Sequence, residues 1–215
     1  MTITFDINCR ACPRLAQFLD QVHDAHPHYY TRPVPPFGDA CAWLLIVGLA
    51  PGMHGANRSG RPFTGDHAGI LLYRTLHQFS FSNREKSVAV DDGLILTGCR
   101  ITNAVKCLPP HNKPDTGEVK QCNLYLAAEL ATLPPQAAVL ALGAVAHKAV
   151  LLALQVSGKH APFAHGRVHN LAAGMRLYDS YHCSRYNTQT RRLTADMFAA
   201  VFARIRQDHP SHENV

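Results

Sequence analysis

Four cysteines in this chain have the spacing of metal ligands. Cys9 and Cys12 form a C-x2-C pair, while Cys107 and Cys122, with fourteen residues between them, flank a proline-rich loop that leads into a helical pattern. Four thiolates can hold zinc or an iron-sulfur cluster. The alternative is that they are small buried hydrophobes, as free cysteines often are. A zinc ribbon would bring two close C-x2-C pairs, and only one is present. Cys41 and Cys99 lie in or beside apolar runs and read as packing residues, whereas Cys183 falls in a loop and stays open to either use.

A second chemical candidate is the stretch from Gly48 to Gly69. It carries glycine at 48, 52, 55, 60, 65 and 69, stiffened by Pro51 and Pro62. Glycine lets the backbone approach a ligand closely and proline narrows its path, so the pair suits a rigid pocket. Within it, Asp66 could cap the following helix or act as a catalytic carboxylate. Phe63 could fill the core or offer a face on which a base stacks. The stretch lacks the lysine-serine pair of a P-loop. Asn103 is an odd residue for a buried strand end, and its amide has the donor and acceptor needed to read a base edge. His182 is one of fourteen histidines. Its place at a strand end beside Ser184, Arg185 and Asn187 distinguishes it, although surface histidines and solvated arginines are common. Arg185, Arg191 and Arg192 are candidates for phosphate contact.

The elements that must position these groups follow from hydrophobic periodicity. Pro13 suits the first turn of a helix that buries Leu15, Phe18, Leu19 and Val22. Residues 25–39 hold four prolines and read as a loop. Ala42–Val47 reads as a buried strand, Ile70–Phe79 as a helix, and Leu94–Val105 as a second strand. Asp115 and Glu118 form a capping box for a helix that buries Val119, Leu126, Leu130 and Leu133, with Cys122 in its second turn. Ala137–Leu142 is a third strand, Ala144–Val156 a helix, and Met175–Tyr181 a fourth strand. Thr194 caps a last helix with Leu193 and Phe198 as its staple; Met197, Val201, Phe202 and Ile205 face the core, and the tail frays from Asp208. Strands alternating with helices predict one α/β domain over residues 1–215, a three-layer α/β/α sandwich with a mainly parallel sheet of about four strands.

Composition sets the bounds. Hydrophobic residues make up 47% and charged residues 17%, which excludes a disordered chain. Lys and Arg number 21 against 15 Asp and Glu, for a net charge of +6 that favours a polyanionic partner. The first eight residues lack a secretory pattern, and no apolar run reaches the length of a membrane span. The expected compartment is the cytoplasm, whose reducing conditions argue against a disulfide framework.

Three separated motifs, the Gly48–Gly69 loop, Asn103-Ala104-Val105-Lys106-Cys107 and the run from Tyr181 to Thr190, together resemble the family 5 (type B) uracil-DNA glycosylases. The likeness runs from Cys9 to the last helix. Leu49 stands where the related family 4 enzymes carry an acidic residue, and Cys183 stands where family members often have Pro or Val. The resemblance implies a 4Fe-4S cluster held by Cys9, Cys12, Cys107 and Cys122. It implies a monofunctional enzyme, acting as a monomer on DNA containing uracil or other deaminated bases such as hypoxanthine. Catalytic roles fall to Asp66, His182 and Asn103, base binding to Gly48, Gly52, Phe63 and Asn103, and DNA contact to Ser184, Arg185 and Asn187. Two rival readings are a catalytically silent iron-sulfur protein that binds nucleic acid and a zinc-stabilised hydrolase of small nucleotides.

Overall fold

The computed structural model describes residues 4–209. Four parallel strands form its centre: β2 (Leu44–Gly48), β3 (Cys99–Asn103), β4 (Ala138–Leu142) and β6 (Arg176–Ser180). Two short antiparallel strands, β1 (Phe37–Gly38) and β5 (Val168–Asn170), close its edges in the order β1-β3-β2-β4-β6-β5. The sheet thus has six strands where the sequence pattern predicts about four. Both additions are too short to show a period, and β1 lies inside the segment expected to be loop. Gly38 is required there, because a Cβ would stand 2.4 Å from the Cys99 carbonyl oxygen.

Side chains alternate across each strand. Leu44, Ile46, Ile101, Leu140 and Tyr178 face α3 (His67–Gln78) and α7 (Ala195–Asp208). Leu45, Val47, Val139, Ala141 and Leu177 face α4 (Thr116–Ala131) and α5 (Ala144–Ala153). Both faces are therefore covered, as the near-continuous apolar strands require, and the three-layer sandwich is the observed architecture. No helix among the described residues is long and apolar enough to cross a membrane.

Several local expectations hold at the level of single bonds. Pro13 begins α1 (Pro13–Ala25), Asp115 and Glu118 make the capping box of α4, and the Thr194 hydroxyl accepts from the Met197 N–H at 3.2 Å. Others shift. The second strand starts only at Cys99, because Gly98 turns with φ +68 against the Trp43 indole. Cys41 is exposed and so is no packing residue, while Cys99 is buried. Phe18, Val119, Leu133 and Met197 are only half-buried. Asp208 still belongs to α7, and His209 is buried with its Nε2 3.2 Å from the Tyr178 hydroxyl. The remainder of the expected frayed tail lies outside the described residues.

The glycine-rich stretch is braced from outside. Residues 84–93 fold against it through Arg61, whose guanidinium donates to Asp92 Oδ2 and to Ser87 Oγ, both at 2.6 Å, and to Thr64 Oγ1 at 2.9 Å. Gly65 N–H donates to the Ser87 carbonyl at 3.2 Å. Burial would raise the Asp92 pKa, but the Arg61 bond and the N–H groups of Val88, Leu94 and Ala89 outweigh it and hold the carboxyl well below its usual range. Its stabilising effect is present above the ordinary carboxylate range and is lost as pH falls through its depressed pKa. Removing one partner strands a buried charge. Asp92→Ala is expected to lower the free energy of unfolding by about 3–5 kcal/mol, read by urea denaturation at neutral pH. A loss below about 1 kcal/mol, the range of a surface pair, would show that the strap does not hold the loop.

Candidate active site

Three of the parallel strands deliver the site. β2 ends at Gly48 and opens into the glycine-rich stretch, β3 ends at Asn103, and β6 runs on to His182. Crevices at the carboxyl ends of strands are where open α/β sheets bind ligands. A cavity of about 440 Å³ lies there, lined among others by Gly52, Phe63, Asp66, Asn103, His182, Ser184 and Arg185.

The glycines are explained by what approaches them. A Cβ on Gly48 would lie 2.4 Å from Asn103 Oδ1 and 2.7 Å from Phe63 Cζ. A Cβ on Gly55 would lie 2.6 Å from Asp66 Oδ2. Phe63 itself has φ +54, a left-handed backbone that favours glycine, and its carbonyl passes the bare Cα of Gly69. Its ring stacks on His182 with centroids 5.9 Å apart. The stretch also contains a helical turn, α2 (Ala56–Ser59), that sequence reasoning left as loop.

Asp66 combines both roles considered for it. Its Oδ1 caps α3 by accepting from the Gly69 N–H at 2.8 Å, and its side chain also lines the cavity. Burial raises its pKa, against the lowering effect of the Gly69 and Ala68 N–H groups. His182 opens one edge on the cavity, yet burial pushes its pKa down to about 4, so its imidazole is neutral at physiological pH. Asn103 is buried, and its Oδ1 has no hydrogen-bond partner among the described residues. A buried acceptor left unmet costs about 1–3 kcal/mol, which a ligand donor would recover. Asn187 lies behind the wall, its Nδ2 donating to the His182 carbonyl at 2.8 Å. Ser184 caps α6 (Arg185–Gln189), and Arg185 sits exposed at the rim.

Sequence reasoning missed two polar residues of the lining. His67 follows Asp66, and its Nδ1 is buried without a partner among the described residues. Asn112, at φ +56, reaches the cavity from the proline-rich loop. His67 could have been found from its place beside Asp66; Asn112 had no signal beyond its loop.

The four spaced cysteines also converge. Cys9, Cys12, Cys107 and Cys122 line one small cavity with Leu15, Val105 and Tyr125, and all four are free thiols. The Lys106 N–H donates to Cys122 Sγ at 3.3 Å. Burial first, and then the neighbouring thiol charges, push Cys107 up to about 12 and Cys122 to about 11. Cys183 is buried elsewhere, beneath the site near Asp66. A larger cleft of about 710 Å³ lies between α1 and residues 29–33, and there Arg10 pairs with Asp20 at 2.5 Å.

The chain is similar to known proteins over most of its length. Residues 35–206 match the profile of the Uracil DNA glycosylase superfamily. Over 205 residues the chain is 43% identical to the type-5 uracil-DNA glycosylase of Thermus thermophilus, covering 93% of each chain. It is 44% identical over 206 residues to that of Pyrobaculum aerophilum, covering 94% of this chain and 89% of the other. A type-4 uracil-DNA glycosylase of Pyrobaculum aerophilum is 34% identical over 145 residues, 67% of this chain and 60% of the relative.

The electrostatics predict a titration. Since the folded pKa of His182 lies below its unfolded value, its neutral burial favours folding above about pH 6.5, and that contribution is lost as pH falls toward 4. Two-dimensional NMR of the imidazole should place its midpoint near 4. An ordinary midpoint near about 6.5 would mean a solvated ring.

Proposed function

The chain belongs to the uracil DNA glycosylase superfamily and, within it, to the type-5 uracil-DNA glycosylases; from that premise we propose that it hydrolyses the N-glycosidic bond of uracil flipped from DNA, leaving an abasic site for base excision repair. The observation that carries the reading is the meeting of a carboxylate, a neutral imidazole, an aromatic face and an unpaired amide oxygen in one cavity at the strand ends. A flipped base costs a few kcal/mol to unstack, less when it is mispaired. Phe63 gives the base a face, the bare backbone at Gly48 lets that ring and Asn103 close in, and Gly52 lines the cavity beside them. Asn103 Oδ1 accepts from a base N–H.

Bond cleavage leaves positive charge on the sugar and negative charge on the base, so each needs a fixed partner. His182, held neutral, donates a hydrogen bond to the base carbonyl as that oxygen gains charge. Asp66 faces the sugar and orients the attacking water. Ser184 and Arg185 meet phosphates at the rim, and Asn187 steadies the loop through the His182 carbonyl. Among the described residues no lysine lines the cavity, and Lys106 is buried against Glu129 at 2.7 Å, which favours a monofunctional reaction over a Schiff base. The same reading has the protein act as a monomer in the cytoplasm and accept other deaminated bases such as hypoxanthine.

Cys9, Cys12, Cys107 and Cys122 would hold a 4Fe-4S cluster. Their free thiols around one apolar cavity suit it, and the deprotonation that Cys12, Cys107 and Cys122 resist alone is what cluster iron favours. A single zinc with bonds of about 2.3 Å would draw the sulfurs to about 3.8 Å of one another. Among the described residues no three of them stand within 4.8 Å. The cluster would supply a cross-link between α1, the end of β3 and α4.

The activity test is a labelled duplex with one G·U pair, incubated with protein purified without oxygen and then treated with hot alkali. Strand cutting confined to uracil is expected, with Asp66→Ala and His182→Ala each slowing it about 10²–10⁴-fold while DNA binding persists. Because burial raises the Asp66 pKa, activity should fall on the acid side at a pH above the ordinary carboxylate range. No cutting, or unchanged rates in both variants, would reject the assignment. Iron and acid-labile sulfide should each reach about four atoms per chain and fall in Cys107→Ala. Stoichiometric zinc instead would reject the cluster.

A further inference from the structure

Three residues before His182, Asp179 is wholly buried in β6 between two histidines. Its Oδ1 lies 2.6 Å from His147 Nδ1 on α5, and its Oδ2 lies 3.1 Å from His169 Nε2 on β5 and 3.3 Å from the Ala164 N–H. The other ring nitrogen of His147 is 2.8 Å from the Ala161 carbonyl. A carbonyl oxygen only accepts, and so does an ionised carboxylate, so with Asp179 ionised both nitrogens of His147 carry protons. In that state the group is a buried imidazolium-carboxylate pair, with His169 Nε2 on the second carboxylate oxygen. Two donors on one zinc, at about 2.0–2.2 Å each, would stand about 3.3–3.5 Å apart, so the 2.6 Å contact has the spacing of a shared proton rather than of a metal.

The bonds tie α5, β5 and the loop around residues 161–164 to the end of β6 that leads to His182. Gly143, which caps α5, donates its N–H to the Ser180 carbonyl at 2.8 Å, and a Cβ there would lie 3.5 Å from His182 Cβ. His147 sits one turn further along α5, and its own N–H donates to the Gly143 carbonyl. Ala161 and Ala164 belong to the loop whose His165 Nδ1 accepts from the Tyr181 N–H at 3.1 Å. We propose that Asp179, gripped by His147 and His169, is a positioning residue that sets where His182 stands in the glycosylase site. The inference rests on the role given to His182 above.

Burial alone would lower the His147 pKa, but the hydrogen bond and charge of Asp179 and the Ala161 carbonyl raise it above its ordinary value. The groups that face His147 are Asp179 from β6, His169 from β5, Lys148 from its own helix and the Phe163 ring from the loop, with His165 further along that loop. The pair therefore stabilises the fold below the ordinary histidine range, and its contribution is lost as pH rises through the elevated pKa. Once His147 loses one of its two protons, one ring nitrogen is left bare against an acceptor, the Asp179 carboxylate or the Ala161 carbonyl, and the grip loosens. An asparagine at 179 would reverse one bond: its Nδ2 can donate to neutral His147, while its Oδ1 still accepts from His169 and Ala164.

The test compares wild type, Asp179→Ala, Asp179→Asn and His182→Ala on the G·U duplex, with melting curves to mark the range in which each is folded. Asp179→Ala should lower kcat about 10²-fold, the usual result of misplacing a catalytic group by about 1 Å, with KM moved less than about threefold. Wild-type kcat should decline on the alkaline side, and Asp179→Asn should recover most of the loss and lack that decline. Wild-type kcat in folded Asp179→Ala, or an alkaline decline unchanged in Asp179→Asn, overturns the proposal. If Asp179→Ala does not fold, the pH profile of Asp179→Asn decides by itself. A fully active His182→Ala would instead remove the role of His182 and leave the positioning claim without its object.

Discussion

A parallel sheet covered by helices on both faces offers solvent only its edges and ends. Every consequence for chemistry in this protein follows from that burial. β2 and β4 are apolar throughout, β3 and β6 add only a few buried polar groups such as Thr102 and Asp179, and the residues that face the cavity begin where the strands stop. Gly48, Asn103 and His182 come together because their strands run the same way and end at one level. The glycines then allow the loops to close on one another at distances a Cβ would forbid.

Low polarability at those ends sets the state of the groups. Burial keeps the His182 imidazole neutral and makes the Asp66 carboxyl a weaker acid. A neutral donor and a fixed anion suit a reaction that separates charge between base and sugar. Around them stand buried pairs of the opposite kind, Arg61 with Asp92, Lys106 with Glu129 and His147 with Asp179. Buried pairs add little net stability over apolar packing, but breaking one is costly. That asymmetry makes them good clamps for loops. Each holds a segment next to a site residue: the glycine-rich stretch, the turn after Asn103, and the end of β6.

The turn after Asn103 links two sites. Asn103 faces the cavity, and four residues later Cys107 faces the other thiols, with Lys106 buried between them. The stretch can be pinned at both ends only if α1 and α4 close on it, and α1 begins at the C-x2-C pair. A cross-link through the four sulfurs would therefore stiffen the backbone that carries Asn103.

Much of this was legible in the residues alone. Local signals act over a few positions, so the capping box at Asp115, Pro13 at the start of α1, the Thr194 cap and the four central strands could be read directly. Motif spacing also marked the glycine-rich stretch, the cysteines and the residues around His182. Other features depend on partners distant in sequence. The edge strands are too short to carry a period and exist only because β3 and β6 offer free edges. The reach of His67 and Asn112 into the cavity, the positive φ of Phe63, the exposure of Cys41 and the burial of Asp179 between histidines from two other elements depend on packing. Sequence determined the central strands, the capped helices and the groups they carry; tertiary structure decided the edge strands, which of those groups meet and in what protonation state, because proximity and desolvation are properties of the assembled interior.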